Sequence, residues 1–377
     1  MKRLLTSVAT AATLLFSPAS ADPNYGAYLA AISAAKAFDF DEAAYWFGLA
    51  LAADPTNPAL IDNTLTNMIG AGDTLGAVPI ASVATDAGLF SQIASLVLDA
   101  DAARRGDWSA IFVAHEAGHE VSPLADGLTR AWAHLGNGDM ARALEAFDDV
   151  TETPGMRPFG LYHKAMALAT VGDFEATIAI LTLPPQEGLQ PTRRGIIALS
   201  QALSQVGRSD EALERLDALF GTTQDATILD LRAALLLDTP VPFDVVRSPA
   251  EGVGEIYYSI ASVLGDETPA QYTLLYARQA QALHPDDAEI ALLTAELLED
   301  LGNLELAAAA YASVPPSDPS YFDAEIGRAD VLRRAEEPEL AIEVLRNLVR
   351  SYPDQPTQPA VAKEAWEANG GGSWLAP

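Results

Sequence analysis

Apolar residues recur along this chain at the spacing of an α-helix, and each apolar stripe opens with a small or β-branched residue. In one stripe Ala43, Phe47 and Ala50 stand at i, i+4 and i+7, which places them on one helical face. The opening residues are Ala43, Ala77, Ile111, Ala143, Thr177, Ala212, Ala307 and Ala341. The first six are separated by 34, 34, 32, 34 and 35 residues, so the pattern predicts a repeated helical unit.

A glycine followed by a polar residue precedes most of these stripes. The pairs are Gly72-Asp73, Gly106-Asp107, Gly138-Asp139, Gly172-Asp173, Gly207-Arg208 and Gly302-Asn303. Glycine ends a first helix because it adopts the left-handed conformation easily. A following Asp or Asn accepts hydrogen bonds from the free amides that begin a second helix. Each unit is therefore predicted to be a helical hairpin, and prolines such as Pro55, Pro285 and Pro353 end several of the units.

These residues resemble the tetratricopeptide repeat (TPR) family. The segment Phe38-Asp39-Phe40-Asp41-Glu42-Ala43, continued by Phe47, Ala50-Leu51 and Asp54-Pro55, follows the family consensus most closely. The resemblance covers most of residues 24–356. It implies an all-α fold, a right-handed α-α superhelix (TPR solenoid) of about nine to ten helix-hairpin units, one of them divergent. The divergent stretch is 239–254, where Pro240, Pro242 and Pro249 are expected to interrupt any helix.

The N-terminus has the three parts of a secretory signal peptide. Met1-Lys2-Arg3 is basic, Leu4 to Phe16 carries no charge, and small residues lead up to Ala21. An apolar run of this length is too short to span a bilayer. We therefore expect cleavage after Ala21 and export to the periplasm. The predicted organisation is a signal peptide at 1–21, an N-terminal TPR array at 22–238, the divergent segment at 239–254, a C-terminal TPR array at 255–356 and a short tail or cap at 357–377.

Composition excludes several classes of function. The 377 residues include 22 Lys+Arg and 52 Asp+Glu, which gives a net charge of −30. Such acidity argues against nucleic acid and against an anionic membrane surface as partners. The absence of cysteine excludes disulfides, thiolate-bound metals and thiol nucleophiles. We assign no cofactor, and we interpret acidic spots such as Asp99-Ala100-Asp101 and Asp286-Asp287 as solvated surface.

One motif suggests metal chemistry. His115-Glu116-Ala117-Gly118-His119 matches the zinc-protease pattern H-E-x-x-H, and it resembles the corresponding helix of exported gluzincin peptidases. Two histidines one turn apart would bind zinc, with Glu116 as general base. The repeat register instead places this segment in the second helix of the third unit, with no space for a catalytic fold around it. No third ligand is recognisable downstream. A zinc site at His115 and His119 is therefore kept only as an alternative.

The family resemblance implies a concave binding face, lined by the first helix of each unit. Its predicted partner-binding residues are Tyr28, Leu128, Trp132, Phe159, Tyr162 and Met166. In the C-terminal half the corresponding positions include Glu289, Glu296, Glu299, Asp300, Asp323 and Asp330. An apolar groove that passes into an acidic one suits a segment with hydrophobic anchors and a basic flank.

Three hypotheses about function follow. The first is a non-enzymatic exported TPR scaffold or adaptor that binds a protein or peptide in the cell envelope through its concave face. The second is a zinc-dependent envelope metallopeptidase that uses the H-E-x-x-H motif. The third is a structural, self-associating repeat protein. The sequence leaves the partner, the biological process and the oligomeric state open.

Overall fold

The computed structural model describes residues 23–184, 186, 189–223, 225–237, 239–265 and 268–352. The predicted signal peptide at 1–21 and the predicted tail at 357–377 lie outside these residues. The described residues form nineteen α-helices and no strand, which confirms the all-α prediction.

The helices follow one another with short connections. In chain order they are α1 (Pro23–Lys36), α2 (Phe40–Ala53), α3 (Pro58–Ala71), α4 (Thr74–Asp86), α5 (Gln92–Arg105), α6 (Trp108–Glu116), α7 (Pro123–Gly136), α8 (Met140–Glu152), α9 (Arg157–Thr170), α10 (Phe174–Leu181), α11 (Arg193–Gln205), α12 (Ser209–Phe220), α13 (Ala226–Leu235), α14 (Pro249–Leu264), α15 (Ala270–Leu283), α16 (Ala288–Asp300), α17 (Leu304–Ala312), α18 (Tyr321–Arg334) and α19 (Pro338–Ser351). The pairs α1–α2 to α11–α12 and α14–α15 to α18–α19 form nine hairpins in the described part of the chain, and α13 stands between the two sets.

The predicted helix boundaries are confirmed at the glycine–acid pairs. Gly72 and Gly106 end α3 and α5 with φ of +91° and +68°, the left-handed region that glycine enters without strain. Asp73 then accepts a hydrogen bond of 2.9 Å from the amide of Gly76, which satisfies one free donor at the start of α4. The same N-terminal cap is made by Asp107, Asp139, Asp173 and Asn303.

The small residue that opens each stripe lies at the contact between helices. Ala43 and Ala143 are fully buried, and so are Phe47 and Phe147 one turn later. Alanine allows two helix backbones to approach closely, and the phenylalanine fills the space behind it. The stripes read from the sequence are therefore the core of the superhelix.

The divergent segment differs from the prediction in one respect. Pro249 was expected to interrupt a helix, but it begins α14, after Ser248 caps the amide of Glu251. A proline is compatible with the first turn of a helix because the amide missing there has no intrahelical partner. The non-helical stretch therefore ends at Ser248, and the helix continues through the part of 239–254 that follows.

The hairpin α14–α15 packs against the N-terminal half of the chain. Helix α14 contacts α5, α7 and α9, and α15 contacts α3, α4 and α5. Arg278 on α15 donates to the carbonyl oxygen of Gly70 on α3 at 3.3 Å. A further long-range bond joins the Asn303 side-chain amide to the carbonyl oxygen of Phe38 at 3.0 Å. In an open solenoid each repeat contacts only its neighbours, so this chain instead closes on itself.

We predict that Gly252→Ala destabilises the protein. A β-carbon at this position would lie 2.3 Å from a ring carbon of Trp132, so α14 would have to move away from α7. Such overpacking costs about 1–3 kcal/mol. Thermal unfolding followed by circular dichroism measures the effect.

The matched control is Gly48→Ala in α2, where nothing lies within 4 Å of the added carbon. This exchange should leave stability unchanged or raise it by about 0.5–1 kcal/mol, because alanine loses less conformational entropy in a helix. Equal effects of the two substitutions would contradict a tight contact between α14 and Trp132.

Candidate functional site

Three of the six predicted partner-binding residues are covered by the chain itself. Leu128, Trp132 and Met166 are fully buried on the first helices of their units. The Trp132 indole packs edge-on against Phe147 and donates a hydrogen bond of 3.2 Å to Nδ1 of His163. Because α14 lies against the same ring, this part of the concave face is protein core rather than an open groove.

The other three residues have different surroundings. Tyr28 is 42% exposed on α1, with its ring 6.2 Å from that of Phe47, and it lies outside the cavity described next. Phe159 and Tyr162 are half-buried and border that cavity. The Tyr162 hydroxyl donates to a carboxylate oxygen of Glu255 at 2.7 Å. The structure thus brings two of the six residues together at an open surface.

This open surface is a cavity of about 1100 Å³ between α9 and α18, to which the second helices α10 and α12 also contribute through Leu181 and Leu219. The first helices α9, α11, α14, α16 and α18 contribute to its walls. Its apolar lining includes Phe159, Leu181, Ile196, Leu199, Leu292 and Leu293. Three acidic residues that the sequence placed on the concave face, Glu289, Glu296 and Asp323, also line it. The cavity therefore combines an apolar floor with acidic groups.

A buried ion cluster holds the helices around this cavity. Arg194, at the start of α11, contacts Glu255 of α14 at 2.8 Å and Asp287, the cap of α16, at 2.6 Å. Its guanidinium also lies 4.7 Å from the ring centre of Tyr258. A buried cation needs such partners because its desolvation is otherwise very costly. The cluster was not foreseen from the sequence, where Asp287 was interpreted as solvated surface.

The pKa values in this cluster are set by burial and by the attraction between the Arg194 guanidinium and the carboxylates of Glu255 and Asp287. Burial raises the pKa of Glu255, although Arg194 opposes that shift. Burial also acts against the charged form of Asp287, but Arg194 outweighs it and the pKa of Asp287 is lowered. The Arg194 pKa, which burial alone would lower, lies well above its usual value because of Glu255 and Asp287. Arg194 is therefore a permanent cation that ties α11, α14 and α16 together.

The cavity carries more negative than positive groups. Arg193 binds Asp225 at 2.7 Å and also contacts Glu289. Arg215, the third arginine of the lining, pairs with Glu211 at 2.9 Å, so each of the three has a carboxylate partner. Glu296 and Asp323 have no ion-pair partner among the described residues, and their pKa values are raised by partial burial and by neighbouring carboxylates. A cationic group entering the cavity would relieve this repulsion.

The two histidines of the H-E-x-x-H motif are not on one helix. Helix α6 ends at Glu116, and Gly118 turns the chain with φ of +82° before His119. His115 is buried and lies 3.0 Å from a carboxylate oxygen of Asp99 on α5. Asp99 was interpreted from the sequence as solvated surface, but it is only 3% exposed. Asp99 lies three residues after Leu96 and four before Ala103, so it shares a helix face with apolar residues, and this spacing is the sequence signal that could have indicated its burial.

Comparison with known families supports the repeat assignment. Residues 274–322 match the tetratricopeptide repeat family model. The match includes most of α15 and all of α16 and α17, the region in which the predicted hairpin spacing resumes. No curated protein matches the chain. Within the described residues, no helix has the combination of length and apolar character that crossing a membrane requires.

The solved structures to which this chain is similar share little sequence with it. Yeast Tom70 shares 13% identity over 92% of this chain and 72% of its own, with a TM-score of 0.27. A structure of Naa15/Naa10 bound to HypK-THB shares 12% identity over 92% of this chain, with a TM-score of 0.30, and the chain spans 66% of the matched one. At these scores the comparisons carry no argument about site or partner.

We predict that acid weakens the protein through His163, which lies on α9 beside Trp132. Burial lowers the pKa of His163 to about 3, from an ordinary value of 6.5. Only the unfolded chain then binds a proton between these pH values, so the stability from a neutral His163 is complete above pH 6.5 and is lost progressively as the pH falls toward 3. From pH 7 to pH 5 the loss amounts to about 2 kcal/mol.

The free energy of unfolding in urea, measured at both pH values, tests this prediction. His163→Gln is the comparison variant because its side chain still accepts the Trp132 hydrogen bond but does not titrate. We expect the wild type to lose about 2 kcal/mol more than His163→Gln on acidification. Parallel losses in the two proteins would assign the acid sensitivity to other groups.

Proposed function

We propose that this protein is an exported, non-enzymatic TPR adaptor that binds a protein or peptide partner in the cell envelope through its concave face. The family match at 274–322 and the row of helical hairpins support a protein-binding scaffold. The observation that carries the proposal is the open cavity of about 1100 Å³, with its apolar floor and its surplus of acidic groups.

The chemistry of the cavity indicates the kind of segment that it accepts. Its volume exceeds the roughly 300–1,000 Å³ of typical small-molecule sites, so several side chains of a peptide can enter. Leu292 and Leu293 offer apolar contacts, and Glu296 and Asp323 offer unpaired carboxylates at the surface. The partner is therefore a segment with apolar anchors and neighbouring Lys or Arg residues.

This proposal moves the binding face from the position expected on sequence grounds. Phe159 and Tyr162 remain part of the proposed binding face because they line the cavity. Leu128, Trp132 and Met166 are buried in the hydrophobic core. Replacing Trp132 would remove a large core side chain and would not report on partner contact alone. A test of binding is better made at exposed residues of the cavity.

We predict that peptides selected on the mature protein from a displayed random library carry apolar residues next to Lys or Arg. The variant Glu296→Lys with Asp323→Lys should bind them at least about tenfold more weakly by fluorescence anisotropy, because both exposed carboxylates become cations. The weakening should shrink at high salt, since exposed charges are screened.

Two controls separate the cavity from the general acidity of the chain. Glu305→Lys with Glu339→Lys makes the same change in net charge at exposed residues outside the cavity and should bind normally. For the apolar part, Val263→Asp at the cavity wall should reduce binding, and Val113→Asp, equally exposed on α6, should not. Equal losses in the cavity variants and their controls would reject the cavity as the binding site.

The proposed export makes a separate prediction. Expression of the full chain in a bacterium with a periplasm should give a periplasmic product whose intact mass lacks residues 1–21, with Asp22 as its first residue. Ala19→Lys with Ala21→Lys should block cleavage, because signal peptidase sites require small residues at these positions. An uncleaved wild-type product in the cytoplasm would contradict export.

A further inference from the structure

Three buried, potentially metal-binding side chains meet between the third and fourth hairpins. Asp99 comes from α5, His115 from α6 and Asp126 from the first turn of α7. Each of the three is less than a tenth exposed. One ligand atom of each residue lies within 4.8 Å of the ligand atoms of the other two. Three separate helices therefore direct two carboxylates and one imidazole to a common point.

Several polar atoms at this point lack a partner. One carboxylate oxygen of Asp126 accepts the amide of Val121 at 2.9 Å, but the other has no hydrogen bond among the described residues. Nδ1 of His115 likewise has no hydrogen bond among the described residues. Buried polar atoms are nearly always satisfied in folded proteins, so these atoms indicate a missing ligand.

The charges lead to the same conclusion. Two carboxylates in a buried site can be opposed by no more than one imidazolium, which leaves a negative charge without compensation. A divalent cation bound by two carboxylates and a neutral imidazole would make the site neutral as a whole.

We infer that Asp99, His115 and Asp126 form a binding site for one divalent transition-metal ion, for which zinc is the probe. Imidazole nitrogen and carboxylate oxygen are ordinary zinc ligands, and three protein ligands leave one position for water or another donor.

The donor set differs from the H-E-x-x-H pair, since His119 is not a member. A bound ion would join α5, α6 and α7 directly beneath α14, the helix that closes the superhelix. Its role is a structural clamp, and the inference is independent of the proposed peptide binding. Ligation by groups on three helices would stabilise the folded state, because the unfolded chain does not hold these groups together.

The test uses the mature chain, stripped of metal with a chelator and then titrated with zinc by calorimetry. We expect one zinc ion per chain and a melting temperature that rises with the concentration of free zinc. Asp126→Asn should weaken zinc binding at least about tenfold, since it removes a ligand charge but keeps the acceptor for Val121. His115→Gln should have a similar effect.

The controls are His119→Gln and Asp101→Asn, which alter residues beside the site in sequence without changing its donors. Both should bind zinc as the wild type does. If the folded wild-type chain does not bind zinc, the inference is overturned by that measurement alone. Loss of zinc in His119→Gln, with binding intact in Asp126→Asn, overturns it in favour of the H-E-x-x-H pair.

Discussion

The packing of α14 into the N-terminal half of the superhelix is the interaction on which the rest of the structure depends. Gly252 lets α14 lie on Trp132, and Glu255 of the same helix meets Tyr162 and Arg194. These contacts join hairpins that are far apart in the chain, so the repeats do not behave as a row of independent neighbours. They also bury Trp132 of α7, whereas Phe159 and Tyr162 of α9 still border the open cavity.

The described residues contain two buried polar clusters whose chemistry differs. Arg194 forms ion pairs with Glu255 and Asp287, so its charge is neutralised. This cluster positions the helices around the cavity. Asp99, His115 and Asp126 have more acceptors than donors among the described residues. The first cluster therefore holds the helices around the acidic cavity in place, and the second is the site at which we infer a bound cation.

The features that could be predicted from the sequence are those with a local physical cause. Gly106 and Asp107 end one helix and begin the next through backbone conformation and capping, which depend on a few adjacent residues. The stripe of Ala43, Phe47 and Ala50 likewise reports a contact within a hairpin or with its neighbour. The prediction for Asp99 was wrong because an acidic residue is usually solvated. The carboxylate of Asp99 is buried because it contacts His115 on the next helix.

The sequence by itself determined the all-α class, the hairpin period and the residues that face other helices, since each follows from spacing along the chain. Only the tertiary structure decided which concave residues stay open. That outcome depends on the curvature of the whole superhelix and on the return of α14 and α15 to helices more than a hundred residues earlier. Small rotations between successive hairpins add up to this curvature, and no single repeat encodes the sum.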